Sequence, residues 1–168
     1  MNASLAQDEQ MMRLALEEAA KAPAIGEIPI GAVIIRGGEI LAKAHNYREI
    51  WQDPTAHAEI VAIRAAASTL GSWRLTETTL YVTVEPCAMC IGAVILARIP
   101  RLVFGTRDPK AGACGSSFDL SAESRLNHRI IVTGGILEQE SKILLQQFFR
   151  QVRAEPSGQE CQEADQLN

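Results

Sequence analysis

TLYVTVEPCAMCIGAVILARIPRLVFG, residues 79–105, decides the fold. Thr79 to Val84 is a short β-rich run and predicts a strand. Pro86 can open a helix, because proline lacks only an N–H that is already orphaned in a first turn, so Cys87 to about Arg98 predicts a helix. Arg101 to Gly105 predicts the next strand. Strand, tight turn, helix and strand in direct succession make a unit of an α/β sandwich, in which active side chains sit at helix starts beyond strand ends.

Outward from this unit the pattern continues. Ala56 to Leu70 is alanine-rich, with Ile60, Ile63 and Ala67 on one face, and predicts a helix stopped by Gly71. Ile28 to Arg36 and Glu39 to Asn46 predict an antiparallel hairpin turned at Gly37-Gly38. From Asp8, Met11, Met12, Ala15, Leu16 and Ala19 recur at helical spacing until Pro23 and Gly26 end the run. Arg129 to Thr133 predicts a strand, and Glu138 to Arg153 a last helix with Ile143, Leu144, Phe148 and Val152 turned inward. Thr106 to Asn127 is a long glycine-bearing loop, and loops of that length in a compact domain are usually functional. Residues 1–153 therefore predict one domain, and residues 154–168, acidic and nearly free of apolar side chains, a disordered tail.

The 168 residues fit one domain with a real core, and no apolar stretch approaches the roughly 20 residues of a membrane span. The N-terminus lacks a secretory pattern, so a soluble cytoplasmic protein is expected. Net charge is −4, which taken alone argues against a nucleic-acid partner. The charge is uneven, however: residues 1–97 carry 7 basic and 11 acidic side chains, residues 98–153 carry 9 and 5, and residues 154–168 carry 0 and 4. The C-terminal third of the domain is locally basic.

Four cysteines are too few and too unevenly spaced for a disulfide scaffold. Cys87 and Cys90, at i and i+3, share one helical face, and the positive end of the helix favours thiolates. His57 and Glu59 fall in the first turn of another predicted helix, and two helix starts can converge on one point. Three ligands, His57, Cys87 and Cys90, leave one position of a tetrahedral zinc for water, which points to catalysis, since a structural site is closed by four. Glu59 points away from His57 on the helix, so it can reach that water as a proton shuttle without joining the metal. Cys-x-x-Cys alone more often marks a structural zinc or a redox pair than a deaminase, and His-x-Glu alone says almost nothing; their conjunction is the zinc deaminase signature. His45 and His128 read as hydrogen-bonding or RNA-facing residues, and Cys114 and Cys161 as unpaired thiols.

The strings HNYRE, DPTAHAEIVAIR, GSWRL, TLYVTVEPCAMCIGAVILARIPRLVFGTRDPKAGACGS, LNHR and GILEQESKILLQQFFRQVR closely resemble bacterial tRNA-specific adenosine deaminases over about residues 8–153. The resemblance implies a cytidine deaminase-like three-layer α/β/α sandwich with a mixed five-stranded sheet. It also implies a homodimer with one Zn2+ per subunit and conversion of the wobble adenosine, position 34 of an arginine tRNA anticodon, to inosine. His57, Cys87 and Cys90 match the zinc ligands and Glu59 the proton shuttle. Asn46 matches a residue that hydrogen-bonds the flipped base, and Ile28-Pro29 its apolar wall. Asp108 and Lys110 match RNA-contacting loop positions, and Asn127, Arg150 and Arg153 lie in segments that meet the anticodon loop; Phe149 reads either as core packing or as a platform on which a splayed base stacks. The helix through IGAVILA, apolar nearly all round, should be buried on every side and corresponds to a dimer element. Glu123 and the acidic tail depart from the pattern, which puts a C-terminal RNA contact in doubt. Two alternatives share the site: a guanine or cytosine deaminase, which would not need a basic C-terminal third, and a non-catalytic tRNA-binding subunit, against which Glu59 argues.

Overall fold

The computed structural model describes residues 3–154, so the tail expected from residue 154 lies, from residue 155 on, outside the described residues. Five strands, β1 (Gly31–Arg36), β2 (Glu39–His45), β3 (Thr78–Val84), β4 (Arg101–Thr106) and β5 (Ile131–Gly134), form one sheet in the order β2-β1-β3-β4-β5. β1 runs antiparallel to both β2 and β3, whereas β3–β4 and β4–β5 are parallel. The helices are α1 (Ala3–Ala19), α2 (Arg48–Trp51), α3 (Ala58–Leu70), α4 (Ala88–Leu96) and α5 (Glu138–Ala154). The single-turn α2 was not anticipated from the sequence, and α1 begins before Asp8.

Strand side chains alternate between two cores. Ala32, Ile34, Leu80, Val82, Leu102 and Phe104 pack with Ala58, Ala62 and Ala66 of α3 and Ile91, Val94 and Ile95 of α4. Val33, Ile35, Tyr81 and Val103 pack on the other face with Met11, Met12 and Ala15 of α1. α5 lies on this second face against β4 and β3. Because both faces are covered, the central strands read as continuous apolar runs instead of alternating ones. At Gly31 a Cβ would collide with the Ala15 carbonyl and the Ala19 amide, so glycine lets α1 lie directly on β1.

Two expectations about helix faces are corrected. On α5, Leu144 and Phe148 are partly buried, but Ile143 and Val152 are 49% and 52% exposed. The face turned to the sheet centres on buried Ser141, which abuts Gly105; Ile143 points to the opposite side of the helix, and Val152 shares the direction of Ser141 but lies three turns further on, near the end of α5. On α4, one side fills the core while Leu96 is 71% exposed and Ala88 is also exposed, because the other layers of one chain do not cover that side.

A buried polar lock ties α1 to the sheet. Both carboxylate oxygens of Asp8 accept from the Arg101 guanidinium at 2.7 Å, and Oδ1 also accepts from the Tyr81 hydroxyl at 2.9 Å. The Arg101 hydrogen bond, reinforced by that of Tyr81, outweighs burial and holds Asp8 below its ordinary 3.8. Asp8→Ala leaves the guanidinium and the phenol without their acceptor, and should cost about 3 kcal/mol in urea denaturation at pH 7. Since the folded-state value is the depressed one, the wild-type advantage is complete above 3.8 and fades as the pH falls below it, so the two stability curves should converge in acid.

Candidate active site

β1 begins, and β2, β3 and β4 end, at the same edge of the sheet, as their registers require. Two helices start there. His57 starts α3 and Cys87 starts α4, both with extended backbone (φ −72°, ψ 152° and φ −75°, ψ 174°) and neither capping its own helix with its side chain. The side chains converge instead: His57 Nδ1 lies 3.8 Å from Cys87 Sγ and 3.6 Å from Cys90 Sγ, and the three donor atoms all lie within 4.8 Å of one another. A nitrogen and a sulfur bound tetrahedrally to one ion at ordinary zinc bond lengths stand about 3.6 Å apart, so the donor set fits a four-coordinate soft metal. Among the described residues no other His, Cys, Asp or Glu joins the group, leaving one corner open.

The cluster is also electrostatically prepared. Cys87 is pulled down to about 4, first by the Cys90 thiol that donates to it and then by the His57 ring, against the opposing effect of burial. The proton stays on Cys90, whose pKa is pushed up by that donation, by burial and by the nearby Glu59 carboxylate. His57 is raised chiefly by its hydrogen bond to Cys87. Glu59, on the first turn of α3 and 4% exposed, is raised by burial, against the pull of a backbone hydrogen bond and of His57.

Asn46 follows β2 and is buried; its Oδ1 accepts the Ala58 N–H at 2.9 Å, supplying the cap that His57 does not. Its backbone N–H donates to the Ile30 carbonyl at 3.2 Å, which brings it beside the half-buried Ile28 and buried Pro29. Glu27, 1% exposed, accepts the amides of Glu49 and Ile50 at 2.6 and 2.9 Å and so holds α2 at the same rim. On the opposite rim Glu85, 2% exposed, gathers amides of the long loop. Sequence reasoning missed both glutamates; a carboxylate closing the apolar strand before Pro86 was the available signal.

A groove of about 580 Å³ lies between the loop after β4 and α5. Arg107, Lys110, Lys142 and Arg153 line it with Phe149, against a single carboxylate, Glu138. The predicted Lys110, Phe149 and Arg153 thus meet, while Arg107 and Lys142 join unforeseen; Arg150 is exposed outside the lining. Asp108 accepts the amides of Lys110 and Ala111 through Oδ1, at 2.9 and 3.3 Å, so its carboxylate shapes the loop.

Asn127 is not brought to this edge. It accepts from Arg98 at 2.6 Å, before β4 begins, while the cluster lies past the ends of the parallel strands, a six-residue strand away or roughly 17 Å. His128 Nε2 sits 2.8 Å from the Ile99 carbonyl oxygen at the same far edge. His45 is buried, stacked on Tyr47 with Nδ1 3.5 Å from a Glu18 carboxylate oxygen. Cys114 is buried in the long loop, its pKa pushed up to about 12 by burial and then by Glu85, and Cys161 lies outside the described residues.

Cobalt(II), which reports thiolate ligation in its spectrum, tests the cluster directly. The wild-type chain should give sulfur-to-metal charge-transfer and tetrahedral d–d bands with release of a proton as Cys90 ionises, and both Cys90→Ala and His57→Ala should lose the tetrahedral spectrum.

The MafB19-like deaminase family matches over residues 6–153. The tRNA-specific adenosine deaminase of Bacillus subtilis strain 168 is 50% identical over 149 residues, 89% of this chain and 92% of that protein. The Haemophilus influenzae protein of the same name is 48% identical over 149 residues, 88% of this chain and 86% of its own length. A structure solved in work on A-to-I editing by tRNA:A34 deaminases at the wobble position of transfer RNA superposes with a TM-score of 0.78 at 43% identity, covering 81% of this chain and 99% of that one. A guanine deaminase structure from Nitrosomonas europaea follows the same fold at 26% identity, with a TM-score of 0.71 over 88% and 93% of the two chains. This chain, with its five-stranded mixed sheet and its His57–Cys87–Cys90 cluster, belongs to the tRNA-specific adenosine deaminases of the deaminase fold.

Proposed function

We propose that this chain hydrolyses the wobble adenosine of tRNA, position 34 in an arginine anticodon, to inosine, with zinc at His57, Cys87 and Cys90. The observation that carries the reading is a buried carboxylate, Glu59, on the first turn of the helix whose starting residue completes a three-donor cluster. Zinc held there would supply a water acidic enough to ionise near neutrality. Glu59 takes one proton from the attacking water and passes it to the ring nitrogen, then takes the proton of the hydroxyl so added to the ring and passes it to the leaving amine; burial, which raises its pKa, favours the protonated carboxyl between the two transfers. Asn46 commits Oδ1 to Ala58, and its Nδ2 serves as the donor to the base. Ile28 and Pro29, beside it, exclude water from the ring.

RNA is supported by the groove. Four cations and an aromatic ring beside the site suit a phosphate backbone and an unstacked base, and a base must leave its stack to reach a recessed carboxylate. Among the described residues no helix is long and apolar enough to cross a membrane, and a tRNA substrate fits the cytoplasm. The uncovered side of α4, with Leu96 most exposed, supports a homodimer. Leu96→Asp should convert the dimer to a monomer in sedimentation at micromolar concentration.

The likeness to a guanine deaminase keeps a free-base substrate as the second reading. Incubation with an arginine anticodon stem-loop should give inosine at the wobble position and leave guanine and cytosine untouched; the reverse outcome assigns the free-base activity. Glu59→Gln should keep zinc and RNA binding while inosine formation falls by at least about 100-fold, and retained activity would remove Glu59 from the chemistry.

A further inference from the structure

Glu85 closes β3 directly before the Pro86-Cys87 turn and takes no part in the donor cluster. Its carboxylate is completely engaged by the long loop. Oε1 accepts the Cys114 and Ser116 amides at 2.9 and 3.1 Å, and Oε2 accepts the Asp108 amide at 3.2 Å together with the Ser116 hydroxyl. The backbone repeats the clasp: Ala113 N–H donates to the Pro86 carbonyl at 2.9 Å, and Cys87 pairs with Gly112 in an isolated bridge. At Gly112 a Cβ would stand 2.6 Å from both Glu85 Cδ and the Asp108 carbonyl, so the loop can close on the carboxylate only with glycine there.

Held in this way, the loop presents its cations in one place. Asp108 turns the chain by accepting the Lys110 and Ala111 amides, and Arg107 and Lys110 then line the groove against α5. One buried carboxylate therefore connects the turn that carries Cys87 to the residues suited to bind RNA phosphates.

We propose that Glu85 is a positioning residue for RNA: it fixes Arg107 and Lys110 in register with the Cys87 turn, so that phosphate capture and base presentation act as one rigid unit. The proposal rests on the RNA reading above. Glu85 binds through the loop and touches no substrate, so its loss should weaken capture and leave the chemistry in place.

Glu85→Gln keeps the shape but turns an amide NH2 towards N–H donors. With the anticodon stem-loop as substrate, zinc should remain at one per chain, kcat should stay within about threefold, and KM should rise about tenfold, the size of one or two lost hydrogen bonds. The salt dependence of binding should weaken by about one unit of slope, as for Lys110→Ala. In the double variant Glu85→Gln/Lys110→Ala the losses should not multiply, because both remove the same contact. Ser116→Ala, which deletes one of the four donors, should move KM in the same direction by about threefold and stands in should Glu85→Gln not fold. Zinc loss, a fall in kcat at constant KM, multiplying losses, or a KM unmoved by Ser116→Ala would each overturn the proposal. Wild-type protein assayed alongside separates the two ideas: no inosine from wild type removes the RNA reading, whereas normal wild-type turnover with an unchanged KM in the variants removes only the role of Glu85.

Discussion

A backbone amide that is buried without an acceptor is costly, and the carboxyl edge of this sheet has many amides that no helix or strand hydrogen bond satisfies. Helices α3 and α4 begin there on His57 and Cys87, whose side chains point to one another, and His57 leaves the first turn of α3 without a cap of its own. The acceptors come from elsewhere in the chain. Asn46 serves Ala58, Glu27 serves the start of α2, and Glu85 serves three amides of the long loop. Each side-chain oxygen both satisfies a donor and fixes a segment of the rim, so the same hydrogen bonds that make the edge stable also shape the mouth of the site.

Topology explains why these segments share one edge. The antiparallel pairings of β1 bring Ile28 to Ile30, which enter β1, beside Asn46, which leaves β2. The parallel pairing of β3 with β4 demands a crossover, and α4 supplies it by starting at the same edge with Cys87. Because β4 and β5 are also parallel, the chain after Thr106 must return to the far edge before β5, which makes the loop long. Its first part rims the site and its last part, with Asn127, is carried away.

Periodicity made much of this legible. The apolar runs gave the five strands and four long helices to within a few residues, and cysteines at i and i+3 behind Pro86 marked a helix start with two thiols on one face. What periodicity lacks is contact between residues distant in the chain. Glu85 meets Ser116 across 31 positions and Glu27 meets Glu49 across 22, and no local pattern announces either. Apolar content also does not say which side a neighbour covers. Ile143 and Val152 of α5 and Leu96 of α4 fit a buried stripe by spacing, yet the sheet covers only one side of each helix and ends before the last turns of α5.

The charge of the chain poses a related problem, since an acidic protein repels phosphates. Burial resolves it. Asp8, Glu18, Glu27, Glu59 and Glu85 are all buried, all lie before residue 98, and are engaged by Arg101, by Lys21, by backbone amides or, at Glu59, by the cluster. The groove cations Arg107, Lys110, Lys142 and Arg153 are all exposed. A buried carboxylate matched by a cation or by amide dipoles projects a weak field. The cations act at contact distance, where screening is least. Net charge summed over the sequence counts both kinds of group equally, whereas RNA docked in the groove would meet chiefly the second.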